Sequence, residues 1–284
     1  MNLEKNSYYI LFGFLITSCG STVQHYYYVP PPKDATMLVE KNDFNLSGAF
    51  AAGDKLACQT IQGAFSPINH LGIKGEYMAT DLKYKESGTV NKGQYFSGGI
   101  GYYNKFKNGN LPIGFEIYGG FATESQVHKY YSYEIVSSST SWLFGTINNW
   151  DYIYQGHANV MYMQYYFQPA IWYNGKYFAG SFFTRFSLMN YQVNNNVYST
   201  FSAYNELNRL TSSGNFLAIE PGFNFGVGYK MMKIQLQFAL SQMMASGIKG
   251  DDFSFGVGFL FNYRKAFLKV KSQKPPSFYR YNDF

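Results

Sequence analysis

The sequence predicts an all-β fold, a transmembrane antiparallel up-and-down β-barrel of about ten strands with an N-terminal lipidated tether and a C-terminal basic tail. Three observations predict it: large apolar residues alternate with small or polar ones at period two, several alternating runs exceed ten residues, and short connections alternate with long ones. Composition agrees. Of 284 residues, 28 are Tyr, 27 Phe and 3 Trp, while charged residues are only 14%, against about 25% in an average soluble domain. That combination excludes a disordered chain, which is poor in aromatics and rich in charge. No apolar run beyond the first residues reaches the ~18 needed for a membrane helix, and coiled-coil heptads are absent. High aromaticity coexists with a mean hydropathy of −0.24, as expected where apolar wall positions alternate with Gly and polar ones.

The amino terminus sets the compartment. Lys5 precedes an apolar stretch from Tyr8 to Ile16, the size of a signal-peptide core and too short to span a bilayer. Ile16-Thr17-Ser18-Cys19 follows and resembles a bacterial lipobox, whose Cys becomes linked to diacylglycerol. The resemblance implies cleavage before Cys19, and a covalent diacylglycerol and acyl chain on that residue hold a protein at a membrane without spanning it. No other cofactor is expected. Cys58 is the only other cysteine, so a disulfide within the lipidated chain is excluded. The predicted organisation is a lipoprotein signal peptide over 1–18, a Pro-containing tether over 19–43, the barrel over 44–264 and a basic periplasmic tail over 265–284.

Alternation is clearest near the carboxyl end. Phe223, Phe225, Val227 and Tyr229 share one face, with Glu220, Gly222, Asn224 and Gly226 on the other; Phe253 to Tyr263 and Ile234 to Leu240 repeat the pattern. Earlier, Ile113, Phe115, Ile117 and Phe121 alternate with Gly114, Glu116, Tyr118 and Gly120. A soluble sandwich would turn the large face inward, whereas a membrane barrel turns it to lipid. A transmembrane strand needs ~9–11 residues while strands of globular proteins are usually ~5–6, so run length favours the membrane. Strands are expected near 44–52, 56–66, 71–82, 94–106, 111–124, 157–173, 177–192, 215–229, 233–244 and 252–264. Asn108-Gly109 and Asn174-Gly175 are hairpin signals, and they fall on short connections. The long connections are 83–93, 125–156, 193–214 and 245–251. Short periplasmic turns and long extracellular loops alternate in this way in outer-membrane barrels.

The stretch from Tyr26 to Tyr77 contains YYYVPPP, LVEKNDFNLSGAF and IQGAFSPINHLGIKGEY. In these segments the chain resembles a family of outer-membrane β-barrel lipoproteins of Bacteroidota such as flavobacteria. The likeness covers the amino-terminal third; beyond it only the architecture matches. It implies turns, strand starts and a lipidated Cys, and brings no catalytic residues. In that phylum an acidic stretch after the lipidated Cys accompanies export to the surface. Gly20 to Val23 contains no acid, so the resemblance implies an outer-membrane protein with its lipid in the periplasmic leaflet.

If the strand phases hold, Lys74, Glu76, Glu116, Arg185 and Glu220 face the lumen and must pair or be hydrated there. Ten strands lie just above the eight that side chains fill and well below the ~16–18 that leave an aqueous pore. A general diffusion channel is therefore disfavoured, and a structural charge network is expected over an ion pathway. Omptin-type proteases are also ten-stranded, with rim acids and an Asp-His couple. Asp251-Asp252, His128 and His157 are the comparable residues here, without a clear Asp-His pairing. A barrel lipase would need a Ser tied to a His, which Ser137-Ser138-Ser139 do not supply. The loop 125–156 carries Tyr130, Tyr131, Tyr133, Trp142, Trp150, Tyr152 and Tyr154, suited either to a partner or to the membrane interface. The tail from Arg264 carries six basic residues and one acid, most of the chain's +6. Its residues Lys269, Lys271, Lys274, Phe278, Tyr279, Arg280 and Tyr281 suit anionic head groups or a protein partner; nucleic acid is not implied. The expectation is a non-enzymatic accessory subunit of an envelope complex, such as barrel-assembly or secretion machinery, with a small transport or ligand-binding barrel and an omptin-type protease as alternatives.

Overall fold

The protein is described by a computed structural model over residues 26–28, 30–31, 34–53, 57–84, 89–106, 112–141, 145–198, 201–212, 214–244, 249–250 and 253–263. Cys19, Asp251-Asp252, expected to begin the last strand, and the whole basic tail lie outside the described residues.

Ten strands form the wall: β2 (Phe44–Gly53), β3 (Ala57–Ile68), β4 (Leu71–Tyr84), β5 (Thr89–Lys105), β6 (Ile113–Ser141), β7 (Gly145–Asn174), β8 (Phe178–Tyr198), β9 (Asn215–Tyr229), β10 (Met232–Leu240) and β13 (Phe253–Tyr263). Each pairs antiparallel with its neighbours in order, and β13 pairs with β2 from Tyr263↔Phe44 to Ser254↔Gly53, which closes the barrel. Closure removes the unpaired edges that lipid would not tolerate. Three small elements complete the fold: β1 (Tyr26–Tyr28), β11 (Gln242–Met243) and β12 (Lys249–Gly250), together with helix α1 (Phe201–Ser212).

The phases run as the alternation predicts. Phe223, Phe225 and Val227 are about half exposed, while Glu220 and Asn224 are buried. Along β6 the outward Ile117, Phe121 and Val127 span ten residues, which at ~3.3 Å per residue and a tilt near 40° covers about 25 Å, the height of an outer-membrane apolar band. Aromatic residues mark its lower border: Tyr102 stacks on His70 with centroids 5.7 Å apart, and Tyr177 and Tyr229 meet at 5.9 Å. Lys176 lies over both of the latter rings, 4.9 and 5.4 Å from their centroids. Its hydrogen bond to Tyr177 holds the ammonium above its ordinary pKa.

Besides shortening the connection expected over 83–93, where Lys83 pairs with Val90 and Tyr84 with Thr89, the structure corrects the sequence reading in three places. The region 125–156, expected as a loop, is mostly strand: β6 has 29 residues and β7 has 30. Neighbouring β5 and β8 stop at the Thr89↔Tyr130 and Gly156↔Tyr198 pairs. From Tyr131↔Tyr154 to Ser141↔Gly145 the two strands therefore pair only with each other, as a ribbon projecting from the long-loop rim. The register shifts where the ribbon leaves the wall, at Tyr130/Tyr131, opposite Gly156 with φ 147°. That conformation suits a residue without a Cβ. In the 193–214 connection, α1 buries Leu207 and Leu210 in the same apolar cluster as Tyr27, Tyr191 and Phe216, so it covers the mouth.

The third correction concerns the tether. Its described part, from Tyr26 to Asp43, does not hang below the barrel but fills the lumen. Tyr26 and Tyr28 pair with Lys249 and Gly250 of β12, in the last long connection. At the other end, Asp43 accepts the Ser66 amide and Asn42 donates to Ser66, beside the first short turn. The physical reason is volume. A ten-stranded barrel is wider than its own side chains fill, and a polar inner wall needs hydrogen-bond partners that a threaded backbone supplies.

Candidate functional site

The lumen is the place where the sequence concentrates chemistry, and it is built in levels around the threaded segment. Nearest the long-loop mouth, the Tyr27 ring packs 4.8 Å from His128, whose Nε2 is 2.8 Å from Gln126 Oε1. Gln126 Nε2 donates to Glu124 at 2.7 Å, and Tyr162 donates its hydroxyl to the same carboxylate. Tyr191 donates to the Tyr27 carbonyl at 3.4 Å.

One level down lies the charge cluster. Arg185 is fully buried; its guanidinium donates to Gln168 at 2.9 Å, to Tyr95 at 3.0 Å and to Glu76 at 3.4 Å, and stacks 4.5 Å over the Tyr166 ring. Lys74 donates to Gln168 at 3.0 Å and lies over Tyr118 and Tyr166. Tyr28 of the threaded segment donates its hydroxyl to Glu220, which also accepts from Ser187 at 3.4 Å. Close packing requires small residues opposite these rings: a Cβ on Gly120 would lie 2.2 Å from the Gly98 carbonyl oxygen and 2.6 Å from Tyr166.

Below the cluster, Asn224 donates to Asp34 Oδ1 at 2.8 Å and Gln62 to the Asp34 carbonyl at 3.2 Å. Glu116 then grips the chain. Its carboxylate accepts the Thr36 amide at 2.7 Å, the Thr36 hydroxyl at 2.8 Å and the Met37 amide at 3.0 Å. Met37 has φ 51°, a left-handed conformation that costs a non-glycine residue about 1–3 kcal/mol. Two successive amides then converge on one anion, the geometry of a backbone nest. Asn45 donates to the Thr36 carbonyl at 2.8 Å. Near the short-turn rim, Leu38 packs against Ala64 and Tyr103, and Lys233 donates to Asn174 at 3.1 Å and to the Lys230 carbonyl at 2.9 Å.

All five charges expected in the lumen, Lys74, Glu76, Glu116, Arg185 and Glu220, are buried there. The structure brings Lys74, Glu76 and Arg185 together around Gln168 and the tyrosines. Glu116 and Glu220 hold the threaded segment instead. Sequence reasoning did not place Glu124, Lys233, Asp34 and Thr36 in the lumen, and weighed His128 only as a loop residue. The available signal was the run Ala35, Met37, Leu38 and Val39, too apolar for a solvated linker.

Of the residues weighed for hydrolysis, Asp251-Asp252 and the side chains of Ser137-Ser138-Ser139 lie outside the described residues, and the two histidines have separate partners. His128 faces inward against Tyr27 and Gln126, while His157, on the neighbouring strand, has its Nδ1 2.7 Å from the Tyr154 hydroxyl. Among the described residues no three His, Cys, Asp or Glu side chains could share a metal ion.

No family model and no curated protein matches the chain. Among solved structures it is similar to the KdgM porin, with 11% identity, a TM-score of 0.34, and coverage of 78% of this chain and 99% of that one. The NanC porin gives 11% identity and a TM-score of 0.30 over 77% and 98%. The transport unit of the autotransporter AIDA-I from Escherichia coli gives 14% and 0.29 over 78% and 90%. All are outer-membrane barrels. At such scores nothing about activity passes to this chain. Its place as an outer-membrane β-barrel stands on wall closure and the lipid-facing belt.

Proposed function

We propose that this barrel is a non-enzymatic, lipid-anchored accessory subunit of an envelope complex, of the barrel-assembly or protein-secretion kind. The observation that carries the reading is the lumen: it is occupied by the chain's own residues from Tyr26 to Asp43, hydrogen-bonded to the wall at successive levels. A barrel whose interior is spent on its own backbone has its outer surfaces left for interaction. Two candidates are the β6–β7 ribbon, whose two edges pair with no other strand among the described residues, and the basic tail, whose charge suits an anionic head group or an acidic partner.

Purification of the protein at native abundance in mild detergent, followed by identification of co-purifying proteins, tests the reading. A stoichiometric envelope partner, lost when the ribbon or tail is removed, is the expected result. A lone monomer overturns the subunit role. Planar-bilayer recording of the native protein separates the transport alternative: the filled lumen should give no steady current, and a reproducible open channel would favour transport.

A further inference from the structure

The direction in which the amino-terminal segment runs through the barrel fixes the side from which its upstream chain emerges. Tyr26 stands at the mouth ringed by the long connections, and Asp43 at the rim of the short turns. His128, against which Tyr27 packs, lies fifteen residues along β6 from Ile113. At ~3.3 Å per residue and a tilt near 40° that is about 38 Å above the short-turn rim, past the top of the apolar belt at Val127.

We infer that a lipid on Cys19 enters the leaflet on the long-loop side, which is the cell surface, and not the periplasmic leaflet that the absence of acids after Cys19 implies. The inference deepens the proposed function and rests on its lipid anchor and on long loops facing outward. Six residues lie between Cys19 and Tyr26, so the seven steps at ~3.3 Å each reach about 23 Å. A return to the periplasmic leaflet must cross a hydrocarbon core of ~30 Å. Outside the wall, such a path leaves backbone amides unpaired in lipid, at several kcal/mol each. Inside the wall, the lumen is already filled. The nearest leaflet is the outer one, directly beside the mouth. The wall then encloses the segment that leads from the short-turn rim to an anchor at the surface.

Cysteine accessibility in intact cells tests this, because Cys58, the only other cysteine of the lipidated chain, is buried. Three single variants of the full chain are compared with a membrane-impermeant maleimide: Gln24→Cys upstream of the thread, Lys129→Cys at the long-loop side and Lys105→Cys at the short-turn side. The expected result is labelling of the first two in intact cells, and of Lys105→Cys only after outer-membrane permeabilisation. Metabolic incorporation of an alkyne fatty acid, lost in Cys19→Ala, is expected in parallel. If Lys129→Cys labels in intact cells while Gln24→Cys labels only after permeabilisation, or only after denaturation, the surface anchor is overturned while the barrel orientation stands. If Lys105→Cys is the variant labelled in intact cells, the orientation itself fails. Absence of fatty-acid incorporation removes the anchor and with it the inference.

Discussion

Replacing Glu116 by alanine should release the middle of the threaded segment without opening the wall. The carboxylate accepts three hydrogen bonds from Thr36 and Met37 at 2.7–3.0 Å, and Glu116 is fully buried. Alanine leaves two backbone amides buried without this acceptor, while the left-handed Met37 keeps its intrinsic strain. Removing one partner from a buried charged arrangement costs about 3–5 kcal/mol, and each 1.4 kcal/mol is tenfold in an equilibrium. The local opening equilibrium at residues 34–39 should therefore rise by roughly two to three and a half orders of magnitude. Hydrogen–deuterium exchange in detergent micelles, read on peptides covering 34–43, measures that rise directly. Peptides within β6, such as 117–127, serve as the internal reference and should keep their protection. Glu116→Gln retains one carbonyl acceptor and should lose only about a fifth to a third of the alanine variant's free energy, on the scale of one neutral hydrogen bond at ~1 kcal/mol. Unchanged exchange at 34–39 in a folded Glu116→Ala protein would refute the clamp.

Arg185→Ala should cost about 3–5 kcal/mol, since it leaves the buried Glu76 carboxylate without the guanidinium and takes one donor each from Gln168 and Tyr95; a lowered denaturant midpoint in detergent measures it, and an unchanged midpoint contradicts the network. Phe121→Arg, in the middle of the lipid-facing belt, should destabilise by about 2–4 kcal/mol, and Val127→Arg, at its upper border, by about 0–1 kcal/mol; equal costs in reversible folding into vesicles would count against the placement of the bilayer. Gly120→Val should sharply lower the yield of folded barrel in a heat-modifiability gel, because its side chain collides with the Gly98 carbonyl and Tyr166; normal yield would show that the lumen packs otherwise.

Much of the wall was legible because its code is local. Alternation at Phe223, Asn224, Phe225 and Gly226 states which residue meets lipid and which meets the lumen, and Asn174-Gly175 marks the short turn between β7 and β8. For the same reason Glu116 and Glu220 were placed inward before any partner was known. The threaded segment was not legible, because Asp34 to Val39 has neither helical nor strand period, and Glu116 and Asn224, which hold Thr36 and Asp34, lie 80 and 190 residues away. Tyr130 and Tyr131 disguised the ribbon: aromatics on adjacent positions blur the alternation just where the register shifts. Helix α1 was hidden in a polar connection in which Leu207 and Leu210 are its described buried apolar residues.

The junction of β2 with β13 also dictates a sequence of events in folding. Phe44 and Tyr263 pair across 219 positions, and closing a loop of that length costs about 5 kcal/mol of chain entropy before any contact returns it. The segment that fills the lumen is attached to β2, one side of this seam, so it must lie in place before the seam zips. Once closed, the wall has no edge through which the segment can leave sideways. The first part of the chain to be made is thus the last to be enclosed, and after enclosure it exchanges with the outside only along the barrel axis.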